Sequence, residues 1–362
     1  MNKIPLYKPY LSDLERGYLL EAFDSTWISS KGKFVNRFEE SFSKFVGVSN
    51  CTTVCNGTTA LHLALLALGI GRGDEVIVPT LTYIASVNAI IYVGATPVFV
   101  DSEDDTWQMS VADVERKVND NTKAIMSVHL YGHPCDIGSI KNICTKNNIY
   151  LIEDCAEALG AYYHSEHVGR QADVSCYSFF GNKTITTGEG GMLVAQNIDI
   201  FDRAVQFKTQ GVRMEGDYWH DVVGYNYRMT NLCAAIGLAQ LERISEICEK
   251  KRLLASWYKK GLDAQKVVVQ RESKNIIHSY WLVTVLVNDA RKVEKLRNHL
   301  ADNEVETRPV FRPIHLMPMY LSKEGNYPIA ERISAQGVSL PSWPGLSFEQ
   351  ITYICNLINK FL

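Results

Sequence analysis

Apolar and polar positions follow two different patterns along the 362-residue chain. From residue 52 to residue 195, short β-branched or apolar runs alternate with stretches at helical spacing. Residues 52–54, 75–78, 96–100, 123–129, 150–153, 174–178 and 192–195 are predicted strands. The spacing predicts helices after Asn56-Gly57-Thr58, closed by Gly69, and over 84–93 and 136–146, the last capped by Asp136. Strands that alternate with helices of about ten residues imply βαβ units around a mainly parallel sheet.

The pattern changes near residue 230. Residues 231–262 keep Leu232, Ala235, Ile236, Ala239, Leu241, Ile244 and Ile247 at helical spacing, as one long helix or two abutting ones. A strong strand over 280–287, a charged helix over 291–302 and an amphipathic helix over 348–361 follow. The expected organisation is therefore an α/β chain in two parts. A large domain spans residues 1–250 and a smaller α+β domain spans 251–362. No Gly/Ser- or Pro-rich linker, internal repeat or low-complexity segment marks the join.

Composition narrows this picture little. Apolar residues are 46% and charged residues 21%, an ordinary globular balance, and the net charge of −3 does not favour nucleic acid or an anionic membrane as partner. The nine cysteines form no CxxC, and Cys155, Cys176 and Cys233 sit among apolar neighbours. Buried free thiols in a reducing cytoplasm are the expectation. The first residues lack an apolar signal core, and no apolar run reaches 18 residues.

Three features fall just past the carboxyl ends of predicted strands, where open α/β sheets place their sites. The first is Asn56-Gly57-Thr58. Gly57 permits a sharp turn and close backbone approach, and the helix start that follows offers free N–H groups to a phosphate. A simple capped turn explains the triplet on its own equally well or better. The second is Asp154, after the apolar run Tyr150-Leu151-Ile152. A carboxylate there costs desolvation unless it meets a cation, such as the protonated ring nitrogen of pyridoxal phosphate. Capping of a helix over 155–159 is the competing explanation. The third is Ser178-Phe179-Phe180-Gly181-Asn182-Lys183, leading into Gly188-Glu189-Gly190-Gly191. Burial behind the two phenylalanines lowers a lysine pKa and yields the neutral amine that Schiff-base chemistry requires, where a surface lysine does not. Tyr83 follows another strand, where it stacks on a planar ring or simply fills the core.

Other constellations are weaker. His129 and His133 flank Tyr131-Gly132 without zinc spacing and are expected as a loop pair, so no metal site is predicted. Glu103, Asp104 and Asp105 are expected on a solvated loop. Walker, dinucleotide and GxSxG motifs are absent.

The runs SFFGNKTITTGEGGM, NGTTALHLALLALGI, DEVIVPTLTYIASVNAI, LIEDCAEALG and GYNYRMTNLCAAIGLAQLE together resemble the DegT/DnrJ/EryC1 family, pyridoxal-phosphate-dependent sugar aminotransferases of fold type I. The similarity covers nearly the whole chain. It implies that Lys183 is the Schiff-base lysine, Asp154 the partner of the pyridine nitrogen and Tyr83 the stacking aromatic. Gly57, Thr58 and Ser178 correspond to phosphate binders, and Glu157 stands where relatives carry Gln or His near the ring hydroxyl. Asn226 matches an asparagine that reaches the neighbouring subunit's phosphate, which implies a homodimer with shared sites. Arg228, Arg308, Arg312 and His315 fall near the nucleotide sugar, Arg312 where relatives commonly carry Tyr. Cys55 replaces a frequent Ser.

The activity so implied is transfer of an amino group from glutamate to C4 of a GDP-linked 4-keto-6-deoxymannose, with ping-pong kinetics. The rivals are a dTDP- or UDP-linked acceptor, a dehydratase of the same family using pyridoxamine phosphate, and a non-enzymatic sensor. Dehydratases carry His at the lysine position, so Lys183 stands against them.

Overall fold

A computed structural model of the chain describes residues 3–213, 218–321 and 325–362. Helices α1 (Asp13–Asp24) and α2 (Lys33–Val46) lead into β1 (Cys51–Val54), α3 (Gly57–Ala67), β2 (Glu75–Pro79), α4 (Ile84–Tyr92) and β3 (Thr96–Val100). Next come α5 (Val111–Lys117), β4 (Thr122–Val128), α6 (Ile137–Asn147) and β5 (Tyr150–Asp154). Two short strands, β6 (Tyr162–Tyr163) and β7 (Glu166–His167), precede β8 (Val174–Ser178), β9 (Gly191–Ala195) and α7 (Ile198–Lys208).

The sheet order is β1-β9-β8-β5-β4-β2-β3. Only β9 runs against the rest, pairing antiparallel with both β1 and β8. The remaining strands therefore end on one edge, which carries Asn56, Tyr83, Asp154 and Ser178. Side chains alternate across the sheet with period two. Val76, Val78 and Ile152 face the core with α3 and α4, whereas Ile77 and Leu151 face the core with α6. The same alternation sends Asp154 and Glu153 to opposite faces. A further core forms around Phe34, Phe38 and Phe42, spaced four apart on α2, which meet Tyr177 and Phe179.

The expected helical stretch over 231–262 is two abutting helices, α8 (Asn231–Glu242) and α9 (Ile244–Gly261), joined at Arg243. Strands β10 (Val267–Val269), β11 (Ile276–Ile277) and β12 (Val283–Val287) follow, then α10 (Val293–Asp302), β13 (Arg308–Pro309), α11 (Pro328–Gln336), β14 (Gly337–Leu340) and α12 (Phe348–Phe361). The second sheet, β10-β12-β14-β13, is antiparallel, and β11 joins the β6–β7 hairpin. The predicted strand over 280–287 begins only at Val283, because Tyr280 adopts a positive φ of 50°. Ser347 and Gln350 form a capping box that starts α12.

Position 250/251 lies inside α9. Ile244, Ile247 and Cys248 of that helix belong to the α2 core, whereas Leu254, Ala255 and Tyr258 belong to the small-sheet core. The N-terminal Ile4 also packs in the small-sheet core and bridges Val305. All nine cysteines are free; Cys155 and Cys176 are buried and Cys233 is half-buried. Among the described residues, no helix is long and apolar enough to cross a membrane.

Candidate active site

A cavity of about 400 Å³ opens at the carboxyl edge of the central sheet. Gly57, Thr58, Tyr83, Asp154, Glu157, Ser178, Lys183 and Arg308 line it, although they come from loops far apart in the chain.

The floor begins at the start of α3. Asn56 caps that helix by accepting from the Thr59 N–H at 3.0 Å. The cap does not take up the N–H groups of Gly57 and Thr58, two of the donors a helix start leaves unmade. A Cβ at position 57 would lie 2.8 Å from the Cβ of Ser178. Only glycine therefore lets the Ser178 hydroxyl stand beside those N–H groups. Together they form a small anion cradle with the positive end of α3 behind it.

Asp154 is the last residue of β5 and is buried. The expected helix over 155–159 does not form; instead Asp154 Oδ1 accepts from the Ala156 N–H at 3.0 Å, and Oδ2 accepts from Ser86 Oγ at 2.8 Å. Burial raises its pKa, and hydrogen bonds and the Lys183 charge offset this only in part. The carboxylate thus has room for a cation on its cavity side.

Lys183 follows the turn after β8. Its side chain is 13% exposed and its Nζ lies 3.7 Å from Glu157 Oε1. Burial pulls its pKa down against the pull of Glu157 and Asp154. Glu157 is also buried and is pushed up to about 7, first by desolvation, with the Lys183 charge and the Tyr131 N–H working the other way. Its Oε2 accepts that N–H at 2.7 Å. Burial thus shifts lysine and acid in opposite directions, each toward its neutral form, and holds them side by side.

Aromatic residues form the walls. Tyr83 caps α4 with its backbone and is 57% exposed, its ring tilted 5.7 Å from Phe311. Phe311, Tyr131 and Trp281 stack in sequence. Trp281 places its ring 4.0 Å from Lys183 Nζ and donates Nε1–H to the Asn182 carbonyl at 2.6 Å. Sequence reasoning missed Ser86, Trp281 and Phe311. Trp281 opens a strong apolar strand and reads as core, and Phe311 lay unremarked between Arg308 and Arg312.

The other expected site residues stand outside this cavity. Asn226 is exposed and accepts from Arg228 Nε at 3.0 Å. Arg312 is exposed. His315 is buried between Thr80 Oγ1 at 2.7 Å and Glu331 at 3.3 Å. His129 and His133 flank a short 3-10 turn after β4, in the expected loop, and both are buried. His129 Nδ1 accepts from the Cys135 N–H at 3.0 Å, so Nε2 carries the hydrogen and donates to Glu153 at 2.8 Å. His129, Glu153 and Cys155 bring potential ligand atoms within 4.8 Å of one another, but both histidine nitrogens are already engaged. Asp104 and Asp105 lie on an exposed loop and pair with Arg332 and Arg271.

The donor set fits pyridoxal phosphate. An anion cradle, a buried carboxylate with room for a cation, a depressed lysine and a flanking aromatic surround one cavity. A model of the DegT/DnrJ/EryC1/StrS aminotransferase family matches residues 9–359. The chain belongs to that family, whose members use pyridoxal phosphate to transfer amino groups. GDP-perosamine synthase of Escherichia coli O157:H7 is 57% identical over 361 residues, covering 100% of this chain and 99% of the relative. GDP-perosamine synthase of Vibrio cholerae is 50% identical over 362 residues, covering 99% of each. Among solved structures, Spr1654 of Streptococcus pneumoniae in its PLP form superposes with a TM-score of 0.95 at 26% identity, covering 99% of this chain and 98% of that one.

Proposed function

We propose that the protein transfers the amino group of glutamate to C4 of GDP-4-keto-6-deoxymannose, giving GDP-perosamine for O-antigen or lipopolysaccharide synthesis. The observation that carries this is end-to-end identity of 57% and 50% to two GDP-perosamine synthases. When bound, pyridoxal phosphate supplies an aldehyde that captures amines and a ring that accepts an electron pair.

The protein's own residues do the rest. Gly57, Thr58 and Ser178 would hold the phosphate arm. Asp154 would keep the ring nitrogen protonated, since a carboxylate beside a cation favours the charged form of both. Tyr83 would stack on the ring. With the cofactor bound, the Lys183 amine would take the proton from Cα of the donor and give it up to the cofactor, and in the second half of the cycle would carry a proton the opposite way, to the acceptor carbon. Glu157 stands beside that amine and holds or releases a proton as Lys183 changes charge. Arg308 lines the mouth, where it meets an anionic substrate group.

Asn226 and Arg228 bond each other and do not line their own cavity, which supports a homodimer in which they serve a neighbour's site. The exposed apolar side chains of Tyr218 and Val223, 95% and 88% accessible, lie close by in sequence and support the same contact. A reducing cytoplasm suits the nine free thiols.

The test is direct. Purified holoenzyme is incubated with glutamate and, separately, the GDP-, dTDP- and UDP-linked 4-keto-6-deoxy sugars, and products are weighed. Conversion of the GDP sugar at the highest kcat/KM is the expected result. Preference for another nucleotide would move the protein to a different acceptor, and no product from any of them would end the enzymatic reading.

A further inference from the structure

We infer that Lys251 is a positioning residue for Lys183, acting through Trp281 and Tyr7 to fix where the reactive amine stands. The inference rests on the reading of Lys183 as that amine.

Lys251 lies in mid-α9, and its side chain is fully buried. No carboxylate among the described residues is near enough to shift it; only Cys248 contributes a charge effect. Its Nζ donates to the Ser342 carbonyl at 2.7 Å and the Trp281 carbonyl at 3.1 Å, and stands 5.3 Å from the Tyr7 ring centre. Both carbonyls lie where strand pairing stops. Strand β14 ends at Leu340 and β12 begins at Val283, so the ladder offers them nothing. A buried carbonyl without a donor is costly, and Lys251 supplies the donors the sheet lacks. A neutral amine carries two N–H groups, one for each carbonyl. Burial brings its pKa down to about 7, so the arrangement does not require an uncompensated charge.

Trp281 and Tyr7 reach the Lys183 turn directly, and Ser342 is bonded to the chain beside each of them. Trp281 bonds the Asn182 carbonyl and lays its ring beneath Lys183 Nζ. The Tyr7 hydroxyl donates to the carbonyl of Lys183 itself. Ser342 donates its N–H to the Leu6 carbonyl at 3.0 Å, next to Tyr7, and its hydroxyl accepts from the Val283 N–H at 2.8 Å, two residues past Trp281. One amine thus secures both arms of a clamp on the backbone that carries Lys183. Neither Lys251 nor Tyr7 lines the cavity.

A lysine that served stability alone would change melting but not the chemistry of Lys183. The experiment therefore reads both. Borohydride trapping of wild-type holoenzyme, mapped by peptide mass, comes first; a tag at Lys183 upholds the underlying reading, and a tag elsewhere ends both. Lys251→Met, which keeps an unbranched apolar stem and removes the donors, is then compared with wild type. We expect kcat to fall roughly ten- to a hundredfold, with KM for the keto sugar little changed, because small misplacement of a reacting group costs that much. The pH midpoint of the visible band of the lysine-bound cofactor should shift by about half a unit or more, as the surroundings of the amine change. Should Lys251→Met fail to fold, Lys251→Gln keeps two N–H donors on a shorter arm and should move the same two readouts by less. A tag at Lys183 together with wild-type kcat and midpoint in the folded variant would overturn the inference alone.

Discussion

Glu153 and Asp154 are neighbours on one strand, both buried, and they end in opposite situations. On the rear face of the sheet, Glu153 Oε2 accepts from the Gly169 N–H at 2.7 Å and from His129 at 2.8 Å, while its Oε1 has no partner among the described residues. Its donors come from the protein alone. On the front face, Asp154 accepts from Ser86 and Ala156, and its remaining side looks into the cavity beside Lys183. A buried carboxylate that meets only backbone and side-chain donors, away from any cavity, is part of the scaffold. One that keeps an open side waits for a charged ligand, and its desolvation cost is offset only when that ligand arrives.

Four substitutions test this contrast. Lys183→Ala should have the largest effect, lowering transamination at least about a thousandfold while the fold, by circular dichroism, is retained. Wild-type turnover in that variant would remove the front face's claim to chemistry. Asp154→Asn should keep some cofactor and lose roughly a hundredfold in kcat. Its melting temperature should hold or rise, since a buried charge is removed; a clear fall would make Asp154 another scaffold residue.

Glu157 gives a pH test on cofactor-free protein. Its pKa is about 7 against an ordinary 4.5, so the folded chain holds this proton more tightly than the unfolded chain. The stability that follows is full below about 4.5 and is lost as pH rises through about 7. Glu157→Gln should therefore gain on wild type across that window, by about 2–3 kcal/mol in denaturant titrations. Parallel pH curves would count against a buried proton there. Glu153→Gln should have the smallest effect, about 1–2 kcal/mol of stability, with kcat nearly unchanged. A large loss of rate without loss of stability would dissolve the contrast between the two faces.

Much of the front face was legible because it is local. Lys183, Asp154 and the Gly57 turn each lie at or within a few residues of the end of an apolar strand, and strand ends announce themselves in sequence. The helix over 348–361 was equally plain from its periodicity. What escaped depends on distant pairing. Nothing near Trp281 says that it will reach Asn182, and nothing near Ile4 says that it will join the small-sheet core. The antiparallel course of β9 is invisible because apolar runs carry no direction.

Helix α9 runs unbroken from one core into the other. Such a shared strut leaves no bending point at that join, so the two halves are not free to rock apart there as a jaw would. Adjustment to a visitor falls instead to side chains and short loops at the rim. The pit then has its shape in advance, and little of a visitor's affinity is consumed in closing the protein around it.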